Sequence, residues 1–311
     1  PVGVAVQPDS AGDQYEVFVA ESGAGRVVKI AAGVPNKSMN AISGFATHSL
    51  SAEHTAESGV QSLCFLDRGR LVVTGRNQDG TAYVRLYELA DADGAITADR
   101  SKQNIELPTD SKSFGAKLRA SLGIARTEPN DRVGDTLVVP ADGDSARLVM
   151  IPVRAGALAA AEAVRMVDAN PELAVGAIAV SRTGHIVIAG RSATRQGEPG
   201  VLEFINPINR RVVMQLPIEL ENVVALAYHP KSGNLYAANS PMNDNGRAGV
   251  YRIDEAGTPG APACLAEKIA DVQRPVALAF GPDGALYVTA QGGSNGSNSN
   301  TGKLLKLSGV D

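Results

Sequence analysis

Three arginines, two carboxylates and three amides fall at comparable places along this 311-residue chain, each beside a short apolar run. Glu21, Arg76, Asp142, Arg191, Asn239 and Gln291 follow such runs, and Asn222 and Arg274 precede them. Guanidinium forks match carboxylates and phosphates, so Arg76, Arg191 and Arg274, helped by Asn222 and Gln291, would bind a small anionic ligand. The plainer role for such arginines is pairing with Glu21 or Asp142 within the loops. Carboxylate and amide oxygens suit a hard cation, which makes Glu21, Asp142 and Asn239 the candidate ligands for Ca²⁺ or another divalent ion.

Other motifs carry less. Asp142-Gly-Asp144 and Asn243-Asp-Asn-Gly246 have calcium-like spacing but lack a full twelve-residue loop, so both read as polar turns. Gly292-Gly-Ser-Asn-Gly296 matches Gly-x-Ser-x-Gly. A nucleophile elbow requires a strand running into a helix, whereas this serine lies in a Gly/Ser/Asn-rich stretch between two strands. That composition predicts a mobile, exposed loop over 292–300. His48, His54, His185 and His229 show no metal-ligand spacing. His185 and His229 are expected as solvated turn residues. No catalytic residue is assigned.

The elements that would position these groups repeat. A short apolar strand, a turn and a second apolar strand recur from near residues 2, 60, 122, 176, 224 and 276. The sixth copy is the clearest, Pro275-Val-Ala-Leu-Ala-Phe-Gly-Pro-Asp-Gly284 followed by Leu286-Tyr-Val-Thr289. A third strand follows each pair: Arg26–Ile30, Tyr83–Tyr87, Arg147–Ile151, Val201–Ile205, Val250–Ile253 and Lys303–Leu307. Alternation such as Val-Arg-Leu-Tyr gives one buried face and one wetter face. Weaker fourth strands follow in most copies, as at Val212–Leu216 and Cys264–Ile269. The run Ala155–Ala163 favours a helical turn by alanine propensity, with a linker between strands as the default reading.

A period near fifty with four strands per unit predicts an all-β, six-bladed β-propeller, mostly of four-stranded antiparallel blades around a central channel. One such domain would take up residues 1–311. A single blade cannot bury both faces, so neighbours must cover one another. Ala5, Ala125, Ala179, Ala227 and Ala279, with Cys64 in the second copy, recur in the first strands, where blades converge and bulk is least tolerated. The absence of Trp excludes the Trp-Asp repeat type.

Composition narrows the function. Net charge is −4, aromatic residues are 4% and there is no basic patch, which argues against nucleic acid as a partner. No apolar run approaches the roughly 18 residues of a helical membrane span. The sequence opens at Pro1 without a signal-peptide pattern, read as a leader already removed or a start downstream of the true one.

The sixth copy and the first, Val17-Phe-Val-Ala-Glu-Ser-Gly-Ala-Gly-Arg-Val-Val-Lys-Ile30, resemble six-bladed propellers of the NHL and SMP-30/gluconolactonase-like superfamily, most of all its secreted bacterial members without assigned activity. The resemblance covers essentially the whole chain. It implies a location in the bacterial cell envelope or outside it. Lactonases of that group hold a divalent cation with carboxylates and amides at the inner channel mouth, where Glu21, Asp142 and Asn239 would stand here. Their opening Glu-Gly-Pro phrase is absent, with Val2-Gly3-Val4 in its place, which argues against lactonase chemistry. Two functions remain: a non-catalytic binding or scaffolding propeller, and a metal-dependent hydrolase, lactonase or lyase acting on a small polar substrate in the funnel. No nucleophile–base–metal set assembles, which favours the first.

Two expectations concern the frame itself. Cys64 in an innermost strand and Cys264 in an outer strand of another blade lie too far apart for a disulfide, so both should be free and Cys64 buried. Lys303–Leu307 is only the third strand of blade six, and the four residues after it are too few for another. The missing strand would come from residues upstream of Pro1 or from another molecule, such as a protein partner that adds a strand at blade six; the plainer alternative is a three-stranded terminal blade that tolerates solvent.

Overall fold

The computed structural model describes all residues except 9–14, 33, 35, 36, 48–58, 80, 90–93, 108–122, 128–133, 142–146, 166–172, 193–198, 242–245, 259, 293–301 and 311. The protein is an all-β, six-bladed β-propeller. Blade one holds β1 (Gly3–Val6), β2 (Glu16–Glu21), β3 (Arg26–Ala31) and β4 (Ser38–Ser43). Blade two starts with β5 (Gly59–Asp67), β6 (Arg70–Arg76) and β7 (Ala82–Glu88). Its chain then lends β8 (Ile96–Thr97) in parallel to β4 of blade one, and returns as its own fourth strand, β9 (Gln103–Glu106).

Blade three holds β10 (Ala125–Thr127), β11 (Thr136–Ala141), β12 (Arg147–Arg154), β13 (Ala157–Leu158) and β14 (Glu162–Arg165). Blade four is β15 (Leu173–Val180), β16 (Ile186–Ser192), β17 (Gly200–Asn206) and β18 (Arg211–Ile218). Blade five is β19 (Val223–Tyr228), β20 (Leu235–Asn239), β21 (Gly249–Thr258) and β22 (Ala261–Ala270). Among the described residues blade six has three strands, β23 (Pro275–Phe280), β24 (Leu286–Ala290) and β25 (Lys303–Leu307).

The hydrophobic residues divide into six cores, one between each pair of neighbouring blades. Each core receives one of the repeated small residues from one blade and the preceding apolar residue of the next blade's first strand. Ala5 meets Leu63, and Cys64 meets Ile124. Ala125 meets Ile178, Ala179 meets Leu226, and Ala227 meets Leu278. Ala279 meets Val4, and the ring closes. The small residue sits at the narrow inner end of each wedge, where a larger side chain would force the blades apart.

Glycines set the closest approaches. A Cβ on Gly3 would lie 2.5 Å from the Gln61 carbonyl oxygen of blade two, and one on Gly176 would collide with the Val223 carbonyl oxygen of blade five. The first strands of blades two, four, five and six share an irregularity, with one extra residue at Gln61, Gly176, Val224 and Val276. Such bulges sharpen the local twist and help a strand turn around an axis.

Three details depart from the sequence reading. Ala155 and Gly156, at φ 51° and 75°, form the tight turn joining β12 to β13 rather than a helical turn. Two consecutive residues at positive φ match the twist of a hairpin, and that outweighs alanine's helix propensity here. His229 is 2% exposed, not solvated: its ring stands edge-on to Phe280 with centroids 4.9 Å apart, and Nδ1 lies 2.9 Å from the Ser232 amide and hydroxyl. Cys64 and Cys264 are both free, but Cys64 is half-buried rather than fully buried. His48, His54, Asp142-Gly-Asp144 and the Gly/Ser/Asn stretch from 293 onward lie outside the described residues.

Candidate functional site

The second strand of each blade runs outward to one rim of the ring, where the first strand begins. Gly3 faces Ala20, Gly59 faces Arg76, Val223 faces Asn239 and Pro275 faces Ala290. This register places Glu21, Arg76, Arg191, Asn222, Asn239, Arg274 and Gln291 along the same rim. Asp142 falls outside the described residues.

Within that rim the groups are brought together mainly in pairs inside a blade. In blade five, Asn239 is fully buried; its Oδ1 accepts from the Asn222 amide at 3.0 Å and its Nδ2 donates to the Arg247 carbonyl at 2.8 Å. The Asn222 side chain donates to the Ser240 carbonyl at 2.6 Å. A buried amide with both ends satisfied is a structural tie between the loop and its strands. In blade six, Arg274 donates to Gln291 Oε1 and to the Gly292 carbonyl, both at 3.0 Å. Arg274 also adopts φ 49°, the left-handed conformation that an L residue takes up at some cost. Its two side-chain bonds and the Gln291 amide bond to its carbonyl hold it there.

In blade one, Glu21 accepts from Arg26 Nε at 2.6 Å, and Arg26 reaches on to Asn40 Oδ1 at 3.3 Å. Arg76 is only 8% exposed, and Arg191 is half-buried. The three arginines stand on blades two, four and six, alternate positions around the ring. Among the described residues no three His, Cys, Asp or Glu side chains gather as a metal cluster.

Below the rim, the axis is narrow, and its wall mixes polar and apolar surface. A central cavity of about 50 Å³ is lined by residues in or just before the first strands of all six blades, Val4, Leu63, Ile124, Ile178, Leu226 and Leu278 among them, with Ser62 adding a polar side. Space on this scale admits a water or two. The sequence carries this ring in plain view, as the residue before each repeated small one, yet a search for polar chemistry passes over it. Elsewhere between blades, polar ties reinforce the packing. Arg126 of blade three bonds Asp135 through Nε at 2.7 Å and Nη2 at 2.6 Å, and reaches the Leu66 carbonyl of blade two.

The sequence matches no protein-family model and no curated protein. Solved structures do share its architecture. A structure described as glucose dehydrogenase aligns over 99% of this chain and 96% of its own at 14% identity, with a TM-score of 0.59. The Dos1 propeller aligns over 93% of this chain at 15% identity and a TM-score of 0.54, and this chain spans 66% of its length. Hydrazine synthase of Kuenenia stuttgartiensis aligns over 93% of this chain and 73% of its own at 16% identity, also with a TM-score of 0.54. Identities this low establish the propeller fold and leave function to the site. Among the described residues no helix is long and apolar enough to cross a membrane.

Proposed function

We propose that this protein is a non-catalytic binding propeller that engages a partner through its rim or a strand edge. The observation that carries this reading is the commitment of five described rim residues, Glu21, Asn222, Asn239, Arg274 and Gln291, to internal bonds. Glu21 is held by Arg26, and both ends of the Asn239 amide are taken by backbone groups. Arg274 and Gln291 are bonded to each other. A catalytic cation would need several convergent oxygens, whereas Asn239 is fully buried, with its Oδ1 turned to the Asn222 amide.

Within this proposal the chain is a member of the NHL and SMP-30-like group acting in the bacterial cell envelope or outside the cell. Half-buried Arg191 and exposed Arg274 carry positive charge at the rim for an anionic partner, whereas Arg76 is buried beneath it. The test combines elemental analysis of the purified protein with a lactone and ester hydrolysis screen in the presence of Ca²⁺, Mn²⁺ or Zn²⁺. The reading predicts no stoichiometric metal and no turnover above the metal-only blank. Turnover that is lost in Glu21→Gln would replace it with the hydrolase reading.

A further inference from the structure

In five blades the third strand is covered by a further antiparallel strand: β3 by β4, β7 by β9, β12 by β14, β17 by β18 and β21 by β22. Among the described residues the exception is β25, whose sheet ends with it. Burial follows this difference. Val28, Leu86, Ile151, Leu202 and Val250 are all buried in their third strands, whereas Leu304, Leu305 and Leu307 of β25 are half-exposed. Where the missing strand would lie there is a slot of about 370 Å³ between blades six and one. Val17 and Val19 of β2, Val28 and Ile30 of β3, and Leu304 and Lys306 of β25 line it. It runs from the rim, where Pro1 packs on Gly302, to Ala31, Ala32 and Ser38 at the opposite end.

We propose that this slot is a strand-acceptor site: an extended peptide from another polypeptide adds to β25 as the fourth strand of blade six. This deepens the binding reading above and rests on it, naming the edge used and the chemistry of the partner. The exposed backbone edge of β25 supplies main-chain hydrogen bonds, and alternate side chains supply specificity. The added strand runs antiparallel to β25, as in the other blades. Apolar residues at every second position would enter the slot against Ile30 and Leu304.

Charge completes the description. Lys306 is paired with Asp283 at 3.0 Å, but among the described residues Lys303 is exposed with no carboxylate partner. The peptide therefore carries a Glu or Asp beside Lys303. The same charges disfavour a second copy of the chain, since pairing two β25 edges would bring four lysines into one small sheet.

The probe is an array of synthetic decapeptides in which apolar and polar residues alternate, with Glu or Lys at the polar positions. Each is matched by a scrambled peptide of the same composition. Hits are titrated in solution by fluorescence anisotropy. The proposal predicts that alternating, Glu-containing peptides bind and that scrambled ones do not. Affinity should fall at least tenfold in Lys303→Glu and in Leu304→Arg, and be unchanged in Lys102→Ala on blade two. Lys303→Glu is a surface change that leaves folding intact, so the test survives if Leu304→Arg does not fold. Binding should also slow amide exchange across residues 303–307.

No binding, or equal binding of alternating and scrambled peptides, overturns the proposal. So does a monomer whose 303–307 amides are already as protected as those of 249–258, because the slot would then be filled from its own chain. The same protection in a dimer would assign the slot to a second copy and overturn it equally. A failed peptide array leaves the rim as a binding face, whereas turnover in the hydrolysis screen would remove the binding reading without touching the slot, so the two failures are distinguishable.

Discussion

The hydroxyl oxygens of Tyr15 and Tyr287 lie 2.8 Å apart across 272 residues of sequence. Their rings meet edge to face, with centroids 6.2 Å apart, in the core that joins blade six to blade one. Asp283 stands with Tyr15 beside Gly281, and Lys306 donates to Asp283 at 3.0 Å while lying over the Tyr287 ring. The ring is thus fastened between blades six and one by a polar cluster in addition to Val4, Val17 and Val19.

The first prediction contrasts two tyrosines. Tyr287→Phe leaves the Tyr15 hydroxyl without one partner in a buried place and should cost about 1–2 kcal/mol. The Tyr83 hydroxyl is buried without a hydrogen-bond partner among the described residues. Tyr83→Phe should therefore be neutral or stabilising, by up to about 1 kcal/mol. Urea denaturation of the two variants, read against the wild type, gives both signs in one experiment.

A second prediction concerns acid. Burial pushes the Asp283 carboxyl up, but the Ala285 amide, Lys306 and the Tyr15 hydroxyl outweigh it and hold the group below the usual carboxylate range. A group depressed in the folded state stabilises above its unfolded value near 3.9, and the stabilisation is lost as pH falls through the lower folded value. Asp283→Asn should therefore be less stable than wild type at pH 6 and close to it at pH 2. Parallel stability curves over that range would contradict the closure cluster.

Thiol chemistry supplies a third. Burial, the leading cause, pushes the Cys64 thiol up to about 11, and its sulfur lies within 3.7 Å of the Phe65 carbonyl. Cys264 is also raised by burial but sits in an outer strand. Because the thiolate is the reactive form, both should react slowly with a disulfide reagent at pH 8, Cys264 ahead of Cys64. A raised folded value means stability is held below about pH 8.5 and lost as pH climbs toward 11. Mass spectrometry of timed alkylation checks the order.

A fourth tests the blade contacts. Gly176→Ala places a methyl against the Val223 carbonyl of the next blade and should cost about 1–3 kcal/mol. Gly23, in the short 3₁₀ turn Ser22–Ala24, has nothing near its missing Cβ, so Gly23→Ala should shift stability by less than about 0.5 kcal/mol. Thermal melts of the pair measure the difference.

The inner and middle strands are legible in the sequence because both their faces are buried and their apolar residues repeat. All six third strands stand where the alternation puts them. Outer strands are harder to read, because a strand facing water needs no apolar pattern. Ser38–Ser43 and Gln103–Glu106 are mostly exposed or half-exposed and carry few apolar residues. At the rim, residue types and positions are legible but their partners are not. Asn239 looks like a free amide ligand until the Asn222 amide and Arg247 carbonyl are seen to take both its ends. His229 gives no local sign of burial, since the Phe280 that covers it belongs to the next blade.

The central claim, a rim built for binding rather than for a catalytic cation, is tested most directly by calorimetric titration of the metal-free protein with Ca²⁺. The account predicts no saturable heat, with the wild type and Glu21→Gln indistinguishable. A single-site isotherm in the wild type that disappears in Glu21→Gln and in Asn239→Ala would contradict it.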